Sequence, residues 1–140
     1  MITKRNRNSR IIYKFDVVPI AQQIIELYDD AQLPRPTHDP QRMKAMFENS
    51  DLIVTAWVED RLVGVARTIT DWVWCSYLAD LAVSPDYERS GIGKKLIELV
   101  REKIGEQSML LLLSVPTAMD YYPRVGFLRE NRAFIIHRTK

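Results

Sequence analysis

The chain reads as a single α+β domain, with helices packed on the faces of a mostly antiparallel sheet. Three observations predict this. Leu52 to Val58 and Leu62 to Thr70 are rich in β-branched and aromatic residues, and they flank the turn Glu59-Asp60-Arg61 as the arms of an antiparallel hairpin. Ile92, Leu96, Val100 and Ile104 recur at every fourth position. Ile97 and Leu99 broaden that stripe into the buried face of an amphipathic helix, which Gly105 ends. Met109 to Val115 is a nearly unbroken apolar run, the pattern of a central strand covered on both faces.

The remaining elements follow in order. Ile11 to Phe15 suits a first strand. Asp16 can cap a helix with Pro19 near its first turn and Ile20, Ile24 and Leu27 at helical spacing. That helix stops before Leu33-Pro34-Arg35-Pro36, whose prolines block continuation. Asp39 is the N-cap of a second helix that opens on Pro40 and turns Met43, Met46 and Phe47 inward. A further strand pair meets near Asp71 to Cys75 and runs through Tyr77 to Val83. Pro116 opens a short helix to about Tyr122, and Phe127 with Phe134 to His137 completes the sheet. No repeat, low-complexity tract or linker divides residues 1–140, and residues 1–9 read as a flexible, solvated basic arm.

Composition narrows the functional classes. At 140 residues the chain can bury roughly 68–70% of its unfolded surface. A net charge of +2 is too small to argue for nucleic acid, and no apolar stretch approaches the ~20 residues of a membrane helix. Cytoplasmic residence is the default expectation, with neither nucleic acid nor membrane as partner. Cys75 has no second cysteine to pair with, and His38 and His137 are too few to build a zinc site with it, so no metal is expected.

Ser90-Gly91-Ile92-Gly93-Lys94 carries the chemistry. Its glycines allow positive φ and close approach of backbone to a ligand. The first turn of the following helix leaves N–H groups without partners, and the helix dipole favours an anion there. Lys94 and Lys95 sit where a helix prefers acids; an anionic ligand would explain their placement, and an ordinary glycine turn with solvated lysines is the alternative that the two glycines alone favour. Two nucleotide motifs fail. Leu96 stands where a dinucleotide fingerprint needs its third glycine, and Glu88 and Lys95 break a Walker A loop.

These residues resemble a known family. Tyr87 to Leu96 is similar to the acyl-CoA signature of GNAT N-acetyltransferases, Gln/Arg-x-x-Gly-x-Gly/Ala, with Leu81-Ala82-Val83-Ser84-Pro85 before it as the central strand and its exit. Ala118-Met119-Asp120-Tyr121-Tyr122-Pro123-Arg124-Val125-Gly126-Phe127 resembles the second signature, Ala-x-x-Phe-Tyr-x-Lys-x-Gly-Phe. The resemblance covers Leu52 to Phe127. Glu88 departs from the first signature, and Val115 replaces an Asn that bonds the pantetheine arm in many members, leaving that contact to Ser114 or Thr117.

The resemblance implies a mixed, mostly antiparallel sheet of six to seven strands, splayed at the central strand, with about four helices on both faces. It implies direct acetyl transfer from acetyl-CoA to a primary amine of a small molecule (arylalkylamine, polyamine or amino-sugar) or a peptide. Leu81, Ala82, Val83, Arg89, Ser90, Gly91, Ile92, Gly93, Lys94, Thr117 and Arg124 would hold the cofactor. Tyr122 would donate a proton or a strong hydrogen bond to the departing thiolate. Asp80 is open between general base, structural acceptor and amine-binding group. Tyr77, the segment from Tyr28 to Asp39 (with Asp29 and Asp30), Trp72 and Trp74 are candidates for the acceptor side. Cys75 reads as a small buried residue rather than a nucleophile. A CoA-binding regulatory module without transfer activity is the alternative, and both monomer and homodimer are open.

Overall fold

The computed structural model describes residues 10–15 and 17–140; the basic arm and the Asp16 cap lie outside the described residues. Five strands form one sheet in the order β1 (Ile12–Lys14), β2 (Leu52–Val58), β3 (Arg61–Thr70), β4 (Cys75–Val83) and β5 (Met109–Leu111). The first four pair antiparallel, and β5 joins β4 in parallel. A parallel neighbour requires a crossover, which here passes through the helix between them.

The helices are α1 (Ala21–Asp30), α2 (Pro40–Glu48), α3 (Ile92–Ile104) and α4 (Tyr121–Arg124), with 3-10 turns at Pro85–Tyr87 and Pro116–Ala118. Asp39 caps α2 as its sequence predicts, its carboxylate accepting from Arg42 N at 3.1 Å with Pro40 in the first turn. Helix α1 begins at Ala21 with no side-chain cap.

Strand β2 shows how the two cores separate. Leu52, Val54, Ala56 and Val58 pack with the α3 stripe of Ile92, Leu96, Ile97, Val100 and Ile104. Ile53 and Trp57 turn to the other face, against Ile24, Leu27 and Tyr28 of α1 and Met43 and Phe47 of α2. Each of these large side chains contributes roughly 1.5–3 kcal/mol by leaving water. Helix α3 lies close on β3 because Gly64 carries no Cβ: one placed there would stand 2.8 Å from Ile92 Cγ2 and 3.2 Å from Ala56 Cβ.

Three expectations are corrected. The sheet has five strands among the described residues, not six to seven. Met109 to Val115 is not a central strand. β5 covers Met109–Leu111 at the sheet edge, with Met109 57% and Leu113 50% exposed. Neither Phe127 nor Phe134 to His137 forms a strand, and Phe134 and Ile136 are each 99% exposed. The causes are linked, since an apolar run becomes central only when a second strand pairs with its outer edge, and no described segment does so.

Candidate active site

β4 and β5 pair only from Cys75 to Tyr77, opposite Met109 to Leu111. Beyond Tyr77, β4 continues to Val83 against β3 alone. One edge of Leu78–Val83 therefore has no strand partner among the described residues, because the ladder with β5 ends at Tyr77 and Leu111. Tyr77 stands at the last position paired on both sides, in register with Leu111 on one side and Ile69 on the other.

A one-residue bulge shapes this strand. Thr68 pairs with Leu78 and Arg67 with Asp80, so Ala79 is the extra residue. Leu78 and Leu81 can thereby both pack on the α3 side, although they are three positions apart. Asp80 is directed to the α1 side, where it meets Tyr28.

Asp80 is 1% exposed and saturated with donors. Tyr28 Oη (2.8 Å) and Arg67 Nε (2.6 Å) both donate to Oδ2, and Arg35 Nε donates to Oδ1 at 2.6 Å. Arg35 also donates through Nη2 to Ala79 O at 2.8 Å and through Nη1 to Pro34 O at 2.7 Å, pinning the proline segment onto the bulge. Burial pushes the Asp80 carboxyl up, but bonds to and charges of Arg67 and Arg35 outweigh it and hold the group below its ordinary value. Burial and the Asp80 carboxylate push the Tyr28 phenol well above its ordinary range. The result is an acceptor ionised at neutral pH with a donor on each of its oxygens.

After Val83 the chain turns through Ser84, whose N–H donates to Val63 O at 2.8 Å, into the 3-10 turn and then α3. Arg89 (φ 64) and Gly91 (φ 82) both adopt left-handed backbone conformations. Gly91 is the N-cap and offers no side chain; the first helical bond is Lys95 N to Gly91 O at 3.0 Å. Among the described residues no acceptor is bonded to the amides of Ile92, Gly93 and Lys94, which leave unpartnered N–H groups at the start of a 13-residue helix, where the helix dipole favours negative charge. Arg89, Ser90, Lys94 and Lys95 are exposed around it, whereas the Ile92 side chain is core, so only its backbone faces a ligand.

The second signature folds back onto this end. A Cβ on Gly93 would lie 2.6 Å from Tyr121 Oη and 3.8 Å from Val83 Cγ2, so the Tyr121 hydroxyl rests beside the first turn of α3. Tyr121 meets Tyr122 edge-on at 5.2 Å, and Tyr122 meets Phe127 edge-on at 5.6 Å. Gly126, at φ 103, turns the chain so that Phe127 N donates to Tyr122 O at 3.1 Å. Burial, then the neighbouring Tyr121, push the Tyr122 phenol up while Arg35 opposes them; Tyr122 is a proton-bearing donor at neutral pH. Val83, Gly93 and Tyr121 are thus brought together at the first turn of α3, with Tyr122 edge-on to Tyr121.

Other candidates are placed less centrally. Thr117, in the turn before α4, and Arg124, in α4, are both exposed. Ser114 Oγ donates to Val115 O at 2.8 Å. Trp72 and Trp74 are 43% and 76% exposed in a turn whose Asp71 carboxylate accepts from Val73, Trp74 and Cys75 N–H groups. Cys75 is exposed rather than buried, because that turn holds it at the strand's outer end with its thiol donating to Asp71. The residues missed in the sequence are Tyr28, Arg35 and Arg67 as partners of Asp80. The readable signal was Arg67, a lone charge inside the apolar strand Leu62–Thr70 that needs a buried counter-ion.

Comparison with known proteins places this geometry. A family model described as the acetyltransferase (GNAT) domain matches residues 21–136. An uncharacterized N-acetyltransferase, ycf52-like, of Prochlorococcus marinus is 30% identical over 95 residues, covering 64% of this chain and 53% of that protein. GCN5-related N-acetyltransferase 2, chloroplastic, of Arabidopsis thaliana is 32% identical over 74 residues, covering 49% of this chain and 28% of that protein. The chain spans about half the length of the ycf52 relatives, and less of others. SA2161, a probable acetyltransferase from Staphylococcus aureus, superposes with a TM-score of 0.80 at 20% identity over 92% of this chain and all of that one. The aminoglycoside N-acetyltransferase AAC(6')-Iy, solved in complex with CoA, superposes with a TM-score of 0.71 at 13% identity over 96% and 98% of the two chains. The matched model spans both strand β4 and the Tyr121–Tyr122 element, and the chain belongs to the GNAT acetyltransferase family.

Proposed function

We propose that the chain transfers the acetyl group of acetyl-CoA directly to a primary amine. One observation carries this reading: the end of the unpaired edge of β4, at Val83, lies beside the unpartnered amides of Ile92, Gly93 and Lys94, with Tyr121 against the same turn and Tyr122 edge-on to Tyr121. A pyrophosphate fits that end, with Arg89, Ser90 and Lys94 around it and Gly91, which has no atom within 4 Å of its Cβ position, admitting close approach. A pantetheine arm laid along Leu81, Ala82 and Val83 would replace the missing strand partner, with Thr117 or Ser114 and Arg124 at its flank. The structural relative solved with CoA supports the same assignment.

In the reaction the amine lone pair attacks the thioester carbonyl, an N–C bond forms, and the C–S bond breaks. A backbone N–H at the open edge of β4 can steady the oxyanion. Tyr122, kept protonated, donates to the departing thiolate, and the amine proton leaves to solvent. Asp80 is a positioning residue in this scheme, since a carboxylate held low by two guanidinium groups is a poor base. It anchors Arg35, and through Arg35 the Leu33–Pro36 segment, over the bulge at Ala79. The acceptor is a small-molecule amine or a peptide, approaching from the side of that segment and Tyr77.

The test is release of free thiol from acetyl-CoA against a panel of arylalkylamines, polyamines, amino-sugars and peptides. Amine-dependent release supports the proposal. Binding of acetyl-CoA with no amine-dependent release across the panel replaces it with the CoA-binding module.

A further inference from the structure

The ion network around Asp80 does not balance. Asp80 carries one negative charge, Arg35 and Arg67 carry two positive ones, and the Tyr28 phenol keeps its proton. Both guanidinium groups pair with Asp80 alone; among the described residues no second carboxylate lies within 4.0 Å of either. The surplus positive charge is held largely out of water, with the Arg67 side chain 10% and the Arg35 side chain 22% exposed. Such a charge is costly to keep uncompensated, and an opposite charge that arrives with a ligand offsets the cost.

The surplus stands beside the proposed reaction site. Arg35 grips β4 at Ala79 O and Asp80 Oδ1, and these two residues immediately precede Leu81. A cofactor whose pyrophosphate sits beyond Val83 points its acyl end back toward Leu81. The guanidinium of Arg35 is then one or two strand residues away, about 3–7 Å along β4. Its charge reaches Tyr122, whose phenol it pulls down against burial. Arg67 and Ile69, two positions apart on β3, share a face of the sheet, and Ile69 lies in register with Tyr77 and Leu111. A cationic pair therefore adjoins an apolar row that contains no acid.

We infer that the acceptor is a small amino acid, whose own carboxylate docks against the Arg35–Arg67 pair while an apolar side chain lies on the Ile69–Tyr77–Leu111 row. This rests on the acetyl-transfer reading and narrows its acceptor. Arg35, the more exposed of the two, has donors to spare: a guanidinium carries five N–H groups, and three are used on Asp80, Ala79 and Pro34. A carboxylate there is a charge-assisted acceptor. Acceptors with several ammonium groups, such as polyamines, bring like charge to a site that already has an excess and are disfavoured.

Leucine, methionine and phenylalanine, each offered as the free acid, the amide and the decarboxylated amine, separate the charge from the side chain. Thiol release from acetyl-CoA, expressed per neutral amine, should give the free acids a kcat/KM about 10–100-fold higher in at least one series. Arg35→Gln should erase that ratio, and Arg35→Lys, which keeps the charge, should restore most of it. Calorimetry at low salt supplies a readout that needs neither turnover nor a variant: the N-acetyl amino acid should bind the native chain about 10-fold or more tighter than its N-acetyl amide. Amides or decarboxylated amines used as well as the free acids in every series, or a ratio indifferent to Arg35→Gln, overturns the amino-acid acceptor and leaves acetyl transfer standing. No release with any amine overturns acetyl transfer instead, and equal binding of N-acetyl amino acid and amide then overturns the carboxylate site as well.

Discussion

Replacing Asp80 with Asn isolates the buried ion network, because it keeps the shape of the side chain and removes only its charge. Arg67 is 8% exposed and the Arg35 side chain 22%, so neither guanidinium can recover full hydration in place. Breaking such a buried pair costs about 3–5 kcal/mol. That is a large part of the ~5–15 kcal/mol that holds an ordinary domain folded. For a chain of this size the melting temperature should fall by roughly 10–20 °C. Asp80→Asn, Arg67→Gln and the double variant, each unfolded in urea, form the assay. The double variant should be less destabilised than the sum of the two singles, by about 1–3 kcal/mol. The pH dependence has a definite sign. Asp80 titrates below its ordinary value of 3.8 in the folded chain, so its contribution is present above that pH and is lost as pH falls through the lower folded value. Asp80→Asn should remove this acid-limb term. Strict additivity, or a stable Asp80→Asn protein that has lost only turnover, would refute the positioning role and restore Asp80 as a base.

Three further substitutions separate fold from chemistry. Tyr122→Phe should lower kcat by about 10²-fold or more with little change in acetyl-CoA affinity, measured by steady-state kinetics beside equilibrium binding; unaltered kcat removes Tyr122 from the reaction. Gly64→Val puts a branched side chain where even a Cβ meets Ile92 Cγ2 at 2.8 Å, so it should cost about 1–3 kcal/mol in denaturant unfolding and weaken acetyl-CoA binding by tilting the end of α3. Asp39→Ala removes the acceptor for Arg42 N and should cost about 0.5–2 kcal/mol, with turnover per folded molecule unchanged.

Periodic and local features were legible in the sequence. The α3 stripe, the β2–β3 hairpin, the Asp39-Pro40 helix start and the glycine turn each draw on chemistry within a few residues. Short-range sterics and hydrogen bonding set them, so composition and spacing are enough. The Ser90–Lys94 turn and the Tyr121–Tyr122 element could be named as parts of one site because two separated motifs matched one family in order. Their contact, with Tyr121 Oη beside Gly93, could not be read, because it depends on how α4 folds back over α3.

What only the tertiary structure decided was pairing at long range. Asp80 could be read as a carboxylate on the central strand. That it is saturated by Tyr28, Arg35 and Arg67 depends on residues 52, 45 and 13 positions away, brought in by helix packing and a bulge. The edge position of β5 has the same cause. An apolar run reports that it shuns water, but not whether its second neighbour is its own chain, another element or another copy. Sequence alone determined the family and the glycine turn at the start of α3; the bonding of Asp80 and the unpaired edge of the sheet came from contacts that no local pattern encodes.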